Sequence, residues 1–461
     1  MKTLTLKSIV LALALTAAPL LAETRTESYT LDNGLELIVR VDQRAPVVVS
    51  QLWFPVGSSH EPTGLTGISH VLEHMMFKGT ENRETGEFSR VISREGGRLN
   101  AFTGRDFTAY FEQLGADRLE IAFELGADRL ANIRFDEEEF RREMEVVHEE
   151  RRLRVDDNPM GVARERFNAL AWSSSPYRQP IIGWQSDLDQ FELDDVKEWY
   201  EAWYGVNNAI LVVVGDVDPD AVYALAQDYF GGMEPRPTPS SRALPEIEPL
   251  GEKRASVHVE RAQPYLMMGY KVPSLATAED EADAYALNLL TSILDGGASA
   301  RLPDRLVRGQ ELAASVSAGY SLVSRLDTQF MLEARPSSDT PLEALEQALR
   351  AQVQDIIDNG VTEQELERAR IQARADQVYR LDSLFYQAME IGLLETAGIG
   401  WRAIERFEEA LEAVTAEQIQ DVAQRYLRDR RLTVMHLLPA ESNGASVPDM
   451  SLPMPETDNN H

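Results

Sequence analysis

The chain has 461 residues, 43% of them apolar and 26% charged, enough for two or more packed domains and too apolar for disorder throughout. Its net charge of −31 repels a phosphate backbone and excludes general nucleic-acid binding. It contains no cysteine, so disulfides, thiolate metal sites and cysteine nucleophiles are excluded, and any metal must be held by His, Asp or Glu.

Residues 1–22 pair Lys2 and Lys7 with an apolar run over Ile9–Leu21 and small residues leading to Ala22. This is the layout of a cleaved secretory signal peptide, and the run falls short of the ~20 residues that span a bilayer. A periplasmic protein with no membrane span after signal removal is expected. Alternating apolar residues then predict strands over Glu36–Asp42 and Val47–Pro55, followed by a helix over Gly67–Phe77. A further strand pair is expected over Arg98–Gln113 around the turn Thr103–Asp106, then helices over Leu119–Asn132 and Glu137–Arg154. Residues 235–254 cluster Pro, Gly and Ser and read as a linker. The second half repeats the order: strands over Ala255–His258 and Tyr265–Tyr270, a helix over Glu281–Leu294, strands over Ala314–Tyr320 and Phe330–Arg335, and helices over Leu342–Asp358 and Glu363–Tyr379. Local text agrees, with FDEEEF matching VTEQEL. Two homologous α/β domains are expected, residues 23–234 and 255–440, with a disordered tail over 441–461. A site in the first is expected to persist only as scaffold in the second.

The sharpest local signal lies in GISHVLEHMMFKGT. His70, Glu73 and His74 form H-x-x-E-H, the inverse of the common H-E-x-x-H zinc motif. On a helix His70 and His74 sit one turn apart on one face, and Glu73 lies beside them, placed to accept a proton from an activated water. Two imidazoles leave a metal shell incomplete. In DEEEFRREMEVVHEERRLRVDDNP, Glu143 and Glu150 stand seven apart on one helical face. Glu150 would close the shell with Glu143 in support, although Glu145, His148 and Glu149 compete on pattern alone. His60, His148, His258, His436 and His461 carry no comparable grouping and read as structural or surface residues.

With these residues the sequence resembles the pitrilysin, or insulinase-type M16, family of inverted-motif zinc peptidases. It is most similar to the half-length, two-domain bacterial members related to mitochondrial processing peptidase subunits. The resemblance runs from about Thr26 to Leu438 and includes GGRLNAFTGRDFTAYFEQL, similar to the family's N-A-x-T hairpin. It implies an α+β fold of pitrilysin/LuxS type, with antiparallel-rich sheets and helices packed on one side of each. The separation of 76 residues between His74 and Glu150 is the family's spacing and selects Glu150. The resemblance thus implies one Zn2+ per chain on His70, His74 and Glu150, Glu73 as general base, Glu143 in support, and an extended peptide substrate bound along Asn100, Ala101 and Phe102. A zinc metalloendopeptidase is expected, with a non-catalytic assembly or peptide-binding subunit as the competing reading.

The second half departs from the family. Members that act alone or as homodimers carry an Arg and a Tyr seven residues apart after an S-S-R-L segment. In DGGASARLPDRLVRGQELAASVSAGY those places fall on Val307 and Ala314, or on Arg308 and Ser315 after a one-residue shift. Val and Ala donate no hydrogen bond to a developing oxyanion. A heterodimer with a homologous subunit carrying the Arg/Tyr pair is expected, a homodimer being the alternative. The acidic surface favours basic peptides, but net charge says nothing of a cavity's lining.

Overall fold

The computed structural model describes residues 25–240 and 244–440, so the expected signal peptide and tail lie outside the described residues. In chain order the first half comprises β1 (Thr26–Thr30), β2 (Glu36–Val41), β3 (Val47–Phe54), α1 (Ile68–Met75), α2 (Glu87–Arg94), β4 (Arg98–Thr103) and β5 (Thr108–Gly115). It continues with α3 (Leu119–Asn132), α4 (Glu137–Arg151), α5 (Pro159–Ala171), α6 (Gln185–Leu188), α7 (Leu193–Trp203), β6 (Ile210–Gly215) and α8 (Pro219–Phe230). The second half contains β7 (Lys253–Val259), β8 (Tyr265–Val272), α9 (Glu281–Asp295), β9 (Ala313–Tyr320), β10 (Thr328–Pro336) and α10 (Leu342–Asn359). It closes with α11 (Glu363–Leu381), α12 (Leu384–Thr396), α13 (Ala403–Ala413), α14 (Ala416–Tyr426) and β11 (Leu432–Pro439).

The internal repeat is visible in the sheets. One has the order β1-β2-β6-β3-β5-β4 and the other β7-β11-β8-β10-β9, so the two coincide once β1 is set aside. Each has one parallel ladder in the same place, β2 with β6 (Val39 opposite Val213) and β7 with β11 (Ala255 opposite Met435). The other described ladders are antiparallel. This is the expected α+β architecture.

Successive strand residues face opposite sides, and each face has its own cover. Leu37, Val39, Leu52 and Phe54 enter a core with Val71 and Leu72 of α1 and Phe123 of α3. Ile38, Val49, Trp53 and Val212 face the other way and meet Ala388 and Ile391 of α12, from the second half. The exchange is mutual. Leu266, Met268 and Tyr270 pack on α9 and α10, whereas Met267, Met435 and Leu437 meet Ala163, Phe167 and Ala171 of α5, from the first half. Each half therefore packs its own helices on one side of its sheet and borrows one helix for the other. Gly392 of α12 permits the close approach, since a Cβ there would lie 2.0 Å from the Trp53 ring.

Two boundaries differ from expectation. β7 starts inside the stretch read as linker, because Lys253 and Arg254 already pair with Thr433 and Val434 of β11. The connecting segment is also anchored, with the Glu246 carboxylate accepting the N–H groups of Ser173, Ser174 and Ser175. α4 ends at Arg151 and relaxes into a wider π-type turn over Arg152–Asp156. The following Asn158–Pro159 forces that stop, since proline disfavours helical geometry in the residue before it. Among the described residues no helix is long and apolar enough to cross a membrane.

Candidate metal centre

The helix α1 is set in place by its apolar side: Ile68, Val71, Leu72 and Met75 are buried, which fixes the direction of the opposite, histidine-bearing face. Gly67 caps its start with φ of +94°, and any Cβ there would meet the Ile182 carbonyl oxygen at 2.6 Å. The Glu61 carboxylate accepts the N–H groups of Gly67 (2.7 Å) and Ser69 (2.9 Å), a cap delivered from outside the helix. In α4, Asp136 accepts the N–H groups of Glu138 and Glu139, while Phe140, Met144 and Val147 bury the core-facing side. Glu143 and Glu150 then emerge together toward α1.

The helices converge as the spacing predicts. His70 Nε2 lies 3.7 Å and His74 Nε2 3.4 Å from Glu150 Oε2, and the three potential ligand atoms lie within 4.8 Å of one another. His74 Nδ1 lies 3.1 Å from Glu143 Oε2, whose other oxygen is 2.5 Å from Lys78 Nζ. Glu73 Oε2 accepts the Thr103 hydroxyl at 2.5 Å. Glu150 Oε1 pairs with Arg154 at 2.7 Å. Of the rival acids, Glu149 turns outward to Arg152 and Glu145 is exposed, while His148 meets Gln185. Helical rotation of 100° per residue separates these from the Glu143–Glu150 face.

The electrostatics suit a cation. Burial lowers the His70 pKa to about 4, with the neighbouring His74 adding to the effect, so His70 is a neutral imidazole at pH 7. Burial also works against charge on His74, but its bonds to Glu143 and Glu150 prevail and raise it to about 9. Burial raises the Glu73 carboxyl, and the Thr103 bond only partly opposes this. The bond from His74 holds the Glu150 carboxyl below its usual range. Two carboxylates thus gather around imidazole nitrogens, an arrangement that favours a positive charge among them. The donor set of two imidazoles and one carboxylate, with a fourth direction left toward a cleft, fits a zinc ion.

That cleft encloses about 650 Å³, and all of its lining residues come from the first half. They include His70, Glu73, His74, Glu150 and the segment Asn100–Thr103 of β4. β4 is the edge strand of its sheet, and the Ala101 N–H is engaged by the Asn100 side chain. The sequence reading did not single out Thr103 or Lys78. Lys78 stands one helical turn beyond His74, an i,i+4 spacing that could have flagged it, whereas Thr103 needed the tertiary fold. Across the molecule, Val307 packs against the second core and Ala314 is exposed on β9. Arg308 bonds Asp304 (2.9 Å) and the Ala298 carbonyl, and Ser315 is exposed. His60 and His436 are structural, the former edge-on to Trp203 and the latter 2.9 Å from Glu346; His461 lies outside the described residues.

Comparison with known proteins gives the family of the chain. The family described as insulinase (peptidase family M16) matches residues 37–184, and the peptidase M16 inactive domain matches residues 190–373. The chain belongs to peptidase family M16. Among its M16 relatives, the zinc protease PqqE of Helicobacter pylori is 32% identical over 364 residues, 77% of this chain and 80% of that one. The uncharacterized zinc protease YmxG of Bacillus subtilis is 26% identical over 398 residues, covering 86% and 94%. A crystal structure of a Helicobacter pylori protease superposes with a TM-score of 0.83 at 29% identity, over 90% of this chain and all of that one. An M16 inactive-domain structure from Pseudomonas fluorescens shares the fold at a TM-score of 0.81 and 17% identity. The M16 inactive-domain match has a residue-level counterpart here: α9 follows β8 as α1 follows β3, yet carries no histidine.

Proposed function

We propose that this M16 chain is a zinc metalloendopeptidase, exported to the periplasm, that cleaves peptides or unfolded segments within its cleft. The observation that carries the reading is the meeting of His70, His74 and Glu150 from two helices beside Glu73 and the edge strand β4. The first half, residues 23–234, is the catalytic domain, and residues 255–440 are its inactive homologue.

His70 Nε2, His74 Nε2 and Glu150 would hold the ion, and Glu143 would orient His74 through Nδ1. When bound, zinc supplies Lewis acidity that polarises the scissile carbonyl and makes water more acidic. The substrate lies extended along Asn100, Ala101 and Phe102, where main-chain pairing gives affinity without demanding one sequence. Glu73 has one oxygen occupied by Thr103, so its other oxygen, Oε1, takes the proton of the attacking water and returns it to the leaving amine. Its burial raises its basicity toward that task.

The cleft draws no oxyanion donor from the second half, and Val307 and Ala314 supply none. This favours a heterodimer whose second, homologous subunit contributes the Arg/Tyr pair. Metal analysis and cleavage of a quenched fluorescent peptide test the whole reading. Wild-type protein should carry zinc, and Glu73→Gln should keep the zinc while losing cleavage by roughly 10²–10⁴-fold. A zinc-free wild type, or a Glu73→Gln variant of undiminished activity, would refute it. Full activity from the chain alone would end the heterodimer.

A further inference from the structure

The walls of the cleft carry as many arginines as glutamates, in contrast to the strongly acidic chain. Arg178 and Arg164 line it, and Arg164 and Asn168 also line a second cavity of about 210 Å³ that lies behind it, between the two halves. Arg105, in the turn after β4, faces that second cavity, and Tyr320 and Gln329 of the second half form its far wall. The Arg105 guanidinium lies over the Tyr177 ring, 5.1 Å from its centroid, which orients the fork. Among the described residues neither Arg105 nor Arg178 has a carboxylate within ion-pair distance, and Arg164 meets only Glu333, at 3.0 Å. The acids of the main cleft are committed elsewhere: Glu150 to the histidines, Glu73 to Thr103, and Glu165 to Arg151 at 2.8 Å. No acid lines the second cavity. A guanidinium set into a cavity without an anion is costly unless an anion comes to meet it, and a planar fork fits a carboxylate in two parallel hydrogen bonds.

We propose that this arginine-lined cavity receives a carboxylate of the peptide substrate, borne by an acidic side chain or by its C-terminus, within a few residues of the bond to be cut. The inference rests on the peptidase reading of the cleft. Its geometry is direct, because Arg105 stands in the turn leaving the strand on which the peptide is expected to lie. The enzyme would then select acidic or C-terminal segments despite its own strongly negative charge.

The test uses the purified chain, with any co-purifying partner, and matched peptides. One set places Glu, Gln or Lys at successive positions around the cleaved bond with an amidated C-terminus. The other holds the side chains neutral and compares free with amidated C-termini. Glu over Gln at one position, or free over amidated, should be favoured by roughly tenfold or more in kcat/KM, the scale of one charge-assisted hydrogen bond. Arg105→Met should bring that ratio toward one, Arg164→Met, on the wall shared with the main cleft, should lower it, and Arg105→Lys, which keeps charge but loses the fork, should retain part of it. Arg105 lies at the junction of the halves, so zinc content and circular dichroism of its variants report folding, and the exposed Arg164 provides an independent arm. The same peptides are titrated onto Glu73→Gln protein by fluorescence anisotropy. Carboxylate-selective binding without turnover by the wild type would sink the peptidase reading and keep the cavity's role. Turnover with no carboxylate preference in either set would overturn the cavity's role and keep the peptidase. Loss of both would refute both.

Discussion

Replacing Gly392 with alanine should destabilise the protein, although the same change stabilises most helices. In α12 the new Cβ would lie 2.0 Å from Cε2 of Trp53, a side chain with no exposed surface. Ordinary contact begins near 3.4 Å, so helix and ring would have to part by about 1.4 Å. Neither can yield easily. Trp53 Nε1 donates to Gln51 Oε1 at 3.0 Å, and the ring is flanked by Phe102 and Phe107 at 5.4 and 5.1 Å between centroids. Overpacking of this kind costs about 1–3 kcal/mol or more, against a gain of about 1 kcal/mol in helix propensity. An overlap this deep belongs at the upper end of that range, so the balance is a net loss of about 2 kcal/mol, read as a fall of roughly 2 °C in Tm for a chain of this length. Gly126→Ala in α3 is the control, because its Cβ would meet only Phe230 Cζ at 3.7 Å, and it should raise Tm. Since Phe102 lies on the edge strand, Gly392→Ala should also raise KM for peptides. If Gly392→Ala raised Tm as the control does, the packing of α12 against the first sheet would be wrong.

Other measurements probe the centre and its supports. Glu143→Gln removes the carboxylate behind His74 and should weaken zinc binding by roughly 10–100-fold in a chelator competition titration. Arg151 and Glu165 form a buried pair next to Glu150, and Arg151 also donates to the Gly183 carbonyl at 2.6 Å. Arg151→Met alone should cost about 3–5 kcal/mol, and adding Glu165→Met should recover much of it in urea denaturation. The Glu346 carboxyl is raised by burial but held down to about 2 by Arg254, His436 and Arg350. Its folded value lies below the unfolded 4.5, so its contribution is complete above pH 4.5 and is lost as pH falls toward 2. Solvent around the half-exposed Arg254 cuts the full linkage of ~3 kcal/mol to ~1–2 kcal/mol. Glu346→Gln should flatten the decline of Tm between pH 5 and 3, and an unchanged slope would count against the network.

The sequence announced the centre because its chemistry is periodic. Two histidines four apart and two acids seven apart need only helical geometry to face one point, and the preceding strands β2 and β3 show as short apolar runs, buried on both faces. The repeat was legible for the same reason, as a matching succession of strands and helices along the chain. What escaped was structure that only tertiary contact defines. The helices α5 and α12 have no single apolar stripe, since PMGVARERFNALA and LFYQAMEIGLLET scatter apolar residues around the axis. Each meets the opposite half's sheet on one side and other elements elsewhere, so no one face stands out. Thr103 on Glu73 and Arg151 on Glu165 are pairings between residues 30 and 14 positions apart, and no local spacing predicts them. Local pattern alone left Glu150 level with Glu145 and Glu149, and only the family's spacing from His74 singled it out; the fold sets it against both histidines.

The traded helices have a consequence for anyone who would dissect the molecule. Severing the chain at the connecting segment would not release two folding units, because one fragment would lose the roof over Trp53 and Val212 and the other the floor beneath Met267 and Leu437. Each would display a bare, sticky sheet, and co-expressed fragments would be expected to clasp again and stay soluble while single ones precipitate.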